Sequence, residues 1–158
     1  MRTLLVICLG VLILWPSATV TVKASESFVL AERFGEPINR YFFAFSTSAG
    51  GYLIRDDGVG EFTTPARLRR HLKLRVGAKE RIHQIYFLEH QGDLFLLYEG
   101  HNESRQWVYL TRIEPQKRKV KWTTALESTG GAAPLIEGEF VVIGDVSIRK
   151  SNGAKISL

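Results

Sequence analysis

Basic side chains are concentrated in one short stretch of the chain, residues 67–81, and they are the groups best suited to chemistry with a ligand. Guanidinium, ammonium and imidazolium groups bind phosphate, sulfate or carboxylate through charge-assisted hydrogen bonds. The stretch contains a single acid, Glu80. We therefore predict an anion-binding surface formed by Arg67, Arg69, Arg70, His71, Lys73, Arg75, Lys79 and Arg81. The alternative is a solvated outer face, or an edge strand protected from pairing by its charges.

The local pattern in this stretch favours a strand. Leu72 and Leu74 alternate with Lys73 and Arg75, so a strand over residues 71–76 puts the two cations on one face and the two leucines on the other. A helical turn beginning at Thr64 remains an alternative for residues 65–76. Few aromatic residues lie among the charges, so we do not expect a stacking surface for single-stranded nucleic acid.

Other residue types that could do chemistry lack a supporting pattern. The four histidines, which lie at 71, 83, 90 and 101, do not form a close pair of metal ligands in sequence, although His90 and His101 flank one strand and could meet at a loop rim. No serine lies in a Gly-x-Ser-x-Gly elbow. Asp56-Asp57-Gly58 is typical of a turn rather than of an acid–base pair. We therefore expect no catalytic residue, no metal ion and no cofactor; the alternative is a small secreted hydrolase whose active site is assembled only in space.

The first 24 residues resemble a leader sequence. Arg2 precedes an apolar run over residues 4–15, and Val22 and Ala24 occupy the small-residue positions of a signal peptidase site. The run is shorter than the roughly 20 residues that a membrane-spanning helix needs. We predict a signal peptide over residues 1–24, cleavage after Ala24, and a periplasmic or secreted protein.

Composition limits the class of the mature protein. Removal of Arg2 and Lys23 lowers the basic count from 21 to 19 against 16 acids, so the net charge falls from +5 to +3. That surplus does not indicate a specific nucleic-acid binder. The only cysteine, Cys8, lies in the leader, so no disulfide is expected. The remaining 134 residues are enough for one domain, and they contain no second apolar run that could form a transmembrane segment.

The apolar periodicity is that of strands. Four strands separated by turn residues are predicted at 84–88, 94–98, 107–113 and 119–124, and a shorter set follows at 134–136, 140–143, 146–150 and 154–157. Asn152-Gly153 is expected to form a two-residue hairpin turn. Less regular strands are predicted at 28–34, 40–45 and 52–55. We therefore predict an all-β, antiparallel fold, with residues 25–158 forming a single domain of about three blade-like repeats.

A family resemblance lies in the same region. A strand over residues 108–113, the polar turn 114–118 and a basic strand ending at Trp122 resemble the closing half of a β-propeller blade of the PQQ-like (quinoprotein dehydrogenase-like) repeat. Residues 146–156 look like a second copy, with Gly153 at the turn but no Trp. The resemblance spans residues 83–158. It implies blades and, in some members, a bound quinone, but no residue here can be matched to the quinone site.

The length allows only about three blades, which is too few for a closed ring. Either several chains complete a ring, or the hairpins pack as a small sandwich or open barrel. We therefore expect an exported, non-catalytic binding or scaffolding protein. Its partner would be a protein or an envelope polyanion, and the edges of its sheets could support a homo-oligomer.

Overall fold

The computed structural model describes residues 23–24, 26–33, 36–64, 66, 69–103, 105–117 and 119–157. Within these ranges the regular structure consists of fourteen strands, with no helix. All strand pairs are antiparallel. The prediction of an all-β, antiparallel fold is confirmed. The predicted leader lies outside the described residues, except for Lys23 and Ala24.

The strands form three open sheets. The central sheet contains β1 (Lys23–Ala24), and the N-terminal sheet contains β2 (Glu26–Arg33), β3 (Glu36–Thr47), β4 (Gly50–Arg55), β5 (Val59–Thr63) and β6 (Arg69–Lys73). The central sheet continues with β7 (Arg81–His90), β8 (Asp93–His101), β9 (Gln106–Glu114) and β10 (Lys119–Leu126). The C-terminal sheet contains β11 (Leu135–Glu137), β12 (Phe140–Ile143), β13 (Val146–Arg149) and β14 (Lys155–Ser157).

Each sheet is a meander in which strands adjacent in sequence are adjacent in space. The exception is β1, which pairs with β7, so that Lys23 lies opposite Phe87 and Ala24 opposite Tyr86. Short turns are sufficient to join antiparallel neighbours. Across the described residues there is no helix long and apolar enough to cross a lipid bilayer.

The central sheet is buried on both of its faces. In β8, Leu94, Leu96 and Tyr98 belong to the core shared with the N-terminal sheet, whereas Phe95 and Leu97 belong to the core shared with the C-terminal sheet. Successive side chains of a strand point to opposite faces, so an unbroken apolar run requires a partner layer on each side. The three sheets therefore stack as three layers.

A column of stacked aromatic rings joins the N-terminal and central sheets. Phe62 stacks on Tyr52 with centroids 5.0 Å apart, Tyr52 on Phe45 at 4.9 Å, and Phe45 on Phe87 at 4.6 Å. Burial raises the pKa of the Tyr52 hydroxyl far above its usual value. The column therefore connects β5 of the N-terminal sheet to β7 of the central sheet.

The second layer contact, between the central and C-terminal sheets, depends on Trp122. Its indole Nε1 donates a hydrogen bond to the Lys150 carbonyl at 3.0 Å, and the Thr124 hydroxyl donates to the Gly153 carbonyl at 2.6 Å. Gly153 has a φ of +74°, and a Cβ built there would lie 2.7 Å from the Trp122 ring. The middle of β10 is therefore connected to the turn between β13 and β14.

One of two hairpin turns differs from expectation. Gln91 and Gly92, which join β7 to β8, both have positive φ, at 51° and 81°, as a two-residue primed turn requires. Among the described residues Gln91 is the only non-glycine with positive φ, so Asn152 does not adopt the predicted conformation. Instead, the Asn152 Oδ1 accepts a hydrogen bond from the Ala154 N–H at 3.1 Å, and residues 150–154 separate β13 from β14. The prediction of a two-residue turn at Asn152-Gly153 is wrong, because the side-chain hydrogen bond stabilises a longer loop.

Candidate binding surfaces

The basic stretch begins on an open edge of the N-terminal sheet. Strand β6 pairs with β5, so that Glu61 lies opposite His71 and Val59 opposite Lys73, and β6 has no other neighbour among the described strands. His71 and Lys73 are exposed, whereas Leu74 is buried in the core. The alternation predicted for this segment is therefore observed. The strand itself covers residues 69–73 and ends before Leu74, so the predicted range of 71–76 is shifted by two to three residues.

The eight candidate anion-binding residues do not form one continuous surface. Arg67 lies outside the described residues, and of Arg69 and Arg70 only the backbone is described, within β6. Arg75 and Lys79 follow β6 in the connection to the central sheet, and Arg81 begins β7. The candidates are thus divided between an edge strand and a crossover.

Arg75 contributes to the contact between layers. Its guanidinium carbon lies 5.4 Å from the centre of the Tyr109 ring, within the range of a cation–π interaction. The Arg75 carbonyl accepts a hydrogen bond from the Tyr98 hydroxyl at 3.4 Å. Burial is the main cause that raises the pKa of Tyr98 to about 12. Arg75 therefore has a structural role, although its side chain is exposed.

Arg81 is also occupied by its own surroundings. Its guanidinium donates hydrogen bonds to the carbonyls of Glu80 at 2.7 Å and Ala78 at 3.3 Å, and its Nε lies 3.8 Å from a carboxylate oxygen of Asp56. Glu80, the single acid of the stretch, is buried and accepts a hydrogen bond from the Gly77 N–H at 2.7 Å. These contacts hold the crossover in place and partly neutralise Arg81.

Three side chains of the stretch remain suited to an external ligand. His71 and Lys79 are exposed and have no hydrogen bond or ion pair to another described residue. Lys73 is exposed and makes one long hydrogen bond, of 3.3 Å, to the Asp57 carbonyl. We call these three residues the basic edge: His71 and Lys73 lie on β6, and Lys79 lies in the crossover that follows it.

A second polar site lies between the central and C-terminal sheets, and sequence reasoning missed it. It is a pocket of about 170 Å³ at the end of the two layers. Its lining residues are His90, Gln91, Asp93, Phe95, Arg112, Glu139, Lys150 and Ser151. The only signal in the sequence is Arg112, which follows Val108 and Leu110 at alternate positions of β9 on an otherwise apolar face.

The pocket is a balanced network of charges. Arg112 donates to the Asp93 carboxylate and, through Nη1, to the Lys150 carbonyl at 2.6 Å. The Lys150 side chain is buried, and its Nζ lies 3.2 Å from the His90 Nε2. Burial lowers the pKa of His90, and the nearby Lys150 lowers it further, whereas Asp93 and Glu139 oppose the shift. Two cations and two carboxylates carry no net charge, so the network favours a contact between layers over capture of an anion.

The structure separates His90 and His101, for which the sequence left a meeting at one loop rim open. His90 lies at the turn end of the β7–β8 hairpin, where it pairs with Asp93, and His101 lies at the open end, where it pairs with Arg81. The nine residues of β8 span nearly 30 Å at about 3.3 Å per residue, which keeps the two rings apart. His90 and His101 therefore do not meet at one rim, and His101 instead contacts His83.

Comparisons of the chain with protein-family models, with curated proteins and with solved structures find no match. Among the described residues there is also no group of three or more His, Cys, Asp or Glu side chains placed to hold a metal ion. The basic edge and the polar pocket are therefore assessed from their own geometry.

Proposed function

We propose that the protein is an exported, non-catalytic binding protein that engages an envelope polyanion through the basic edge. The observation that carries the proposal is the position of β6 at an open edge, with His71 and Lys73 exposed and Leu74 buried. Lys73 lies on a paired strand next to Leu72, which packs against the core, so binding there requires little ordering beyond the lysine side chain itself.

The charge distribution supports an anionic partner. The other ion pairs near this surface are internally compensated: Arg55 with Asp57 at 2.7 Å, and Arg105 with Glu80 at 3.8 Å. The basic edge has no such acidic partner in contact with its lysines among the described residues. A polymer that carries many negative charges can contact Lys73 and Lys79 together, and such contacts weaken as salt screens them, with a Debye length of about 8 Å at 0.15 M.

The same charges favour a polyanion over an added protein strand. The backbone of β6 has an unpaired side that could accept a partner strand. Lysine side chains on an edge strand are a common means of preventing such pairing. A neutral or basic partner strand would meet Lys73 at close range, whereas a flexible polyanion contacts the side chains and leaves the backbone edge unused.

The test compares two double variants that change the net charge equally. Lys73→Glu/Lys79→Glu alters the basic edge, and Lys119→Glu/Lys155→Glu alters exposed lysines on β10 and β14. We expect the first variant to elute from heparin at clearly lower salt than the wild type, and the second to elute near the wild type. Circular dichroism verifies that both variants are folded.

Equal loss of retention in the two variants would show that net charge alone governs binding, and the basic edge would then be abandoned as the site. The basic edge would also be abandoned as the site if the wild type eluted from heparin at no higher salt than from a sulfonate cation exchanger of equal charge density.

Kinship with the PQQ-like repeats is part of this proposal. What supports it is the succession of meanders with four or five strands and the contact of Trp122 with Gly153, the two residues that mark the half-blades. As a relative with few blades, the protein would use the outer surfaces of its sheets for binding, since it has no residues that match a quinone site.

A further inference from the structure

Two histidines meet at the open end of the β7–β8 hairpin. A β-bulge between Ile82 and Gln84 places Ile82 and His83 together opposite Gly100. Ile82 is buried in the core that the central sheet shares with the N-terminal sheet, while His83 is exposed. Bulges commonly re-aim a side chain at the edge of a sheet. Here the extra residue lets the chain keep its apolar anchor and still bring the His83 ring to His101.

The two rings lie side by side. Their Nδ1 atoms are 2.9 Å apart, their centroids are 4.5 Å apart, and their planes are inclined by 31°. The centroids are further apart than the nitrogens, so the rings diverge from the point where the nitrogens meet. Both Nδ1 lone pairs can therefore be directed toward one point in front of the pair.

This separation matches the spacing of two imidazole ligands on one metal ion. Metal–nitrogen bonds of about 2.0–2.1 Å that meet at roughly 90–110° hold the two nitrogens about 2.8–3.4 Å apart. Imidazole is a ligand for zinc, copper and nickel, and the affinity of a given site rises to a maximum at Cu(II). The observed 2.9 Å falls within the required range without any movement of the backbone.

We propose that His83 and His101 form a surface site for a divalent late first-row transition metal ion, with Cu(II) bound most tightly. The two protein ligands are the Nδ1 atoms, and water fills the other positions because both side chains are exposed. In the metal-free pair one Nδ1 donates its hydrogen to the other. On binding, that hydrogen resides on Nε2 of the same ring, so both imidazoles stay neutral and no redox step is involved.

The surroundings limit the site to reversible binding. Glu99 lies two residues before His101, on the same face of β8, and interacts electrostatically with His83, so it offsets part of the charge of a bound cation. No third protein ligand is placed with the pair among the described residues. Two ligands and open water positions are typical of an exchangeable ion rather than of a closed structural zinc site.

The experiment titrates the full, untagged protein with CuCl₂ by calorimetry in a non-coordinating buffer. We expect one Cu(II) per chain in the wild type and loss of that binding in His83→Ala and in His101→Ala. The matched control is His71→Ala, which removes an exposed histidine on β6 and should leave the stoichiometry unchanged. The near-isosteric His83→Asn serves as a second variant if an alanine variant does not fold.

A spectroscopic signature separates this site from other copper-binding groups on the surface. Electron paramagnetic resonance of the 1:1 complex should show hyperfine coupling to two imidazole nitrogens, and either substitution should remove it. The proposal would be overturned if copper binding persisted in both alanine variants. It would also be overturned if the coupling to two imidazole nitrogens survived in either of them. His83 and His101 are not part of the basic edge, so loss of copper binding in their variants is independent of heparin retention.

Discussion

At the scale of single residues, partly buried polar groups connect the layers. Arg112 of the central sheet reaches the Lys150 carbonyl of the C-terminal sheet, and Trp122 donates to the same carbonyl. Breaking a buried network by removing one partner leaves the others without compensation, which costs more free energy than the contact itself contributes. The chemistry of this pocket therefore concerns stability.

The stability of the fold should depend on pH through His90. Its folded-state pKa is lowered, first by burial and second by Lys150, with Asp93 and Glu139 acting in the opposite direction. The unfolded chain then takes up the proton first, so the contribution of neutral His90 is complete above about pH 6.5 and is lost as the pH falls through the folded-state value. We expect the free energy of unfolding in urea to decrease between pH 7.5 and pH 5.5, and His90→Gln to reduce this slope.

The control for that measurement is His71→Gln, which changes an exposed histidine on β6. It should keep the slope of the wild type. An identical slope in His90→Gln and the wild type would show that other groups cause the pH dependence.

At the scale of elements, the position of each strand follows from its two faces. β8 is apolar on both faces and lies in the middle of the central sheet, whereas β6 exposes His71 and Lys73, packs Leu72 against the core and lies at an edge. Turns also contribute to packing, because the turn at Gly153 contacts both Trp122 and Thr124. An altered turn should therefore weaken the contact between the central and C-terminal sheets.

Gly153→Ala tests this contact. The substitution introduces a Cβ at positive φ, 2.7 Å from the Trp122 ring and 2.8 Å from the Thr124 hydroxyl. The matched control is Gly131→Ala, where φ is also positive, at +78°, but no atom lies within 4 Å of the added Cβ. Both variants carry the backbone strain of about 1–2 kcal/mol, and only Gly153→Ala carries overpacking of roughly 1–3 kcal/mol in addition.

Chemical unfolding followed by tryptophan fluorescence measures the difference between the two glycine variants. Equal loss of stability in both would mean that the Trp122 ring and the turn can move apart without lowering the free energy of unfolding.

At the scale of the whole molecule, the buried hydrophobic residues lie between three stacked sheets, and these sheets do not close into a ring. The central sheet contacts a sheet on each side, and the described strands form no closed barrel. The one strand outside the order of the meanders is β1, which pairs with the edge of β7. Cleavage after Ala24 would remove β1, so export would change the edge of the central sheet.

Expression with the intact leader in a bacterial host tests export and assembly together. We expect intact-mass spectrometry to find a chain that begins at Ser25 in the periplasmic fraction, and light scattering to find a monomer, because both faces of the central sheet are already covered within one chain. An uncleaved cytosolic product would contradict the export proposal. A mass of several chains would instead favour a ring completed between copies.

Much of the fold could be predicted because strand formation has a local cause. Alternation of apolar and polar residues, interrupted by glycine and polar turns, places β7, β8, β9 and β10 within a few residues of their observed bounds. The prediction was wrong where a side chain competed with the backbone, as at Asn152. The length of the β7–β8 hairpin also excludes the meeting of His90 and His101 that the sequence left open.

The sequence by itself determined the class of the fold, the strands and the alternation that exposes Lys73 and buries Leu74, because these follow from neighbours along the chain. The tertiary structure alone decided which cations remain available, since Arg75 lies against Tyr109 and Arg81 against carbonyls of its own loop. It also brought His83 to His101 and Lys150 to His90, pairs that are 18 and 60 residues apart. Such contacts depend on strand register and on the stacking of sheets, and no local pattern encodes either of them.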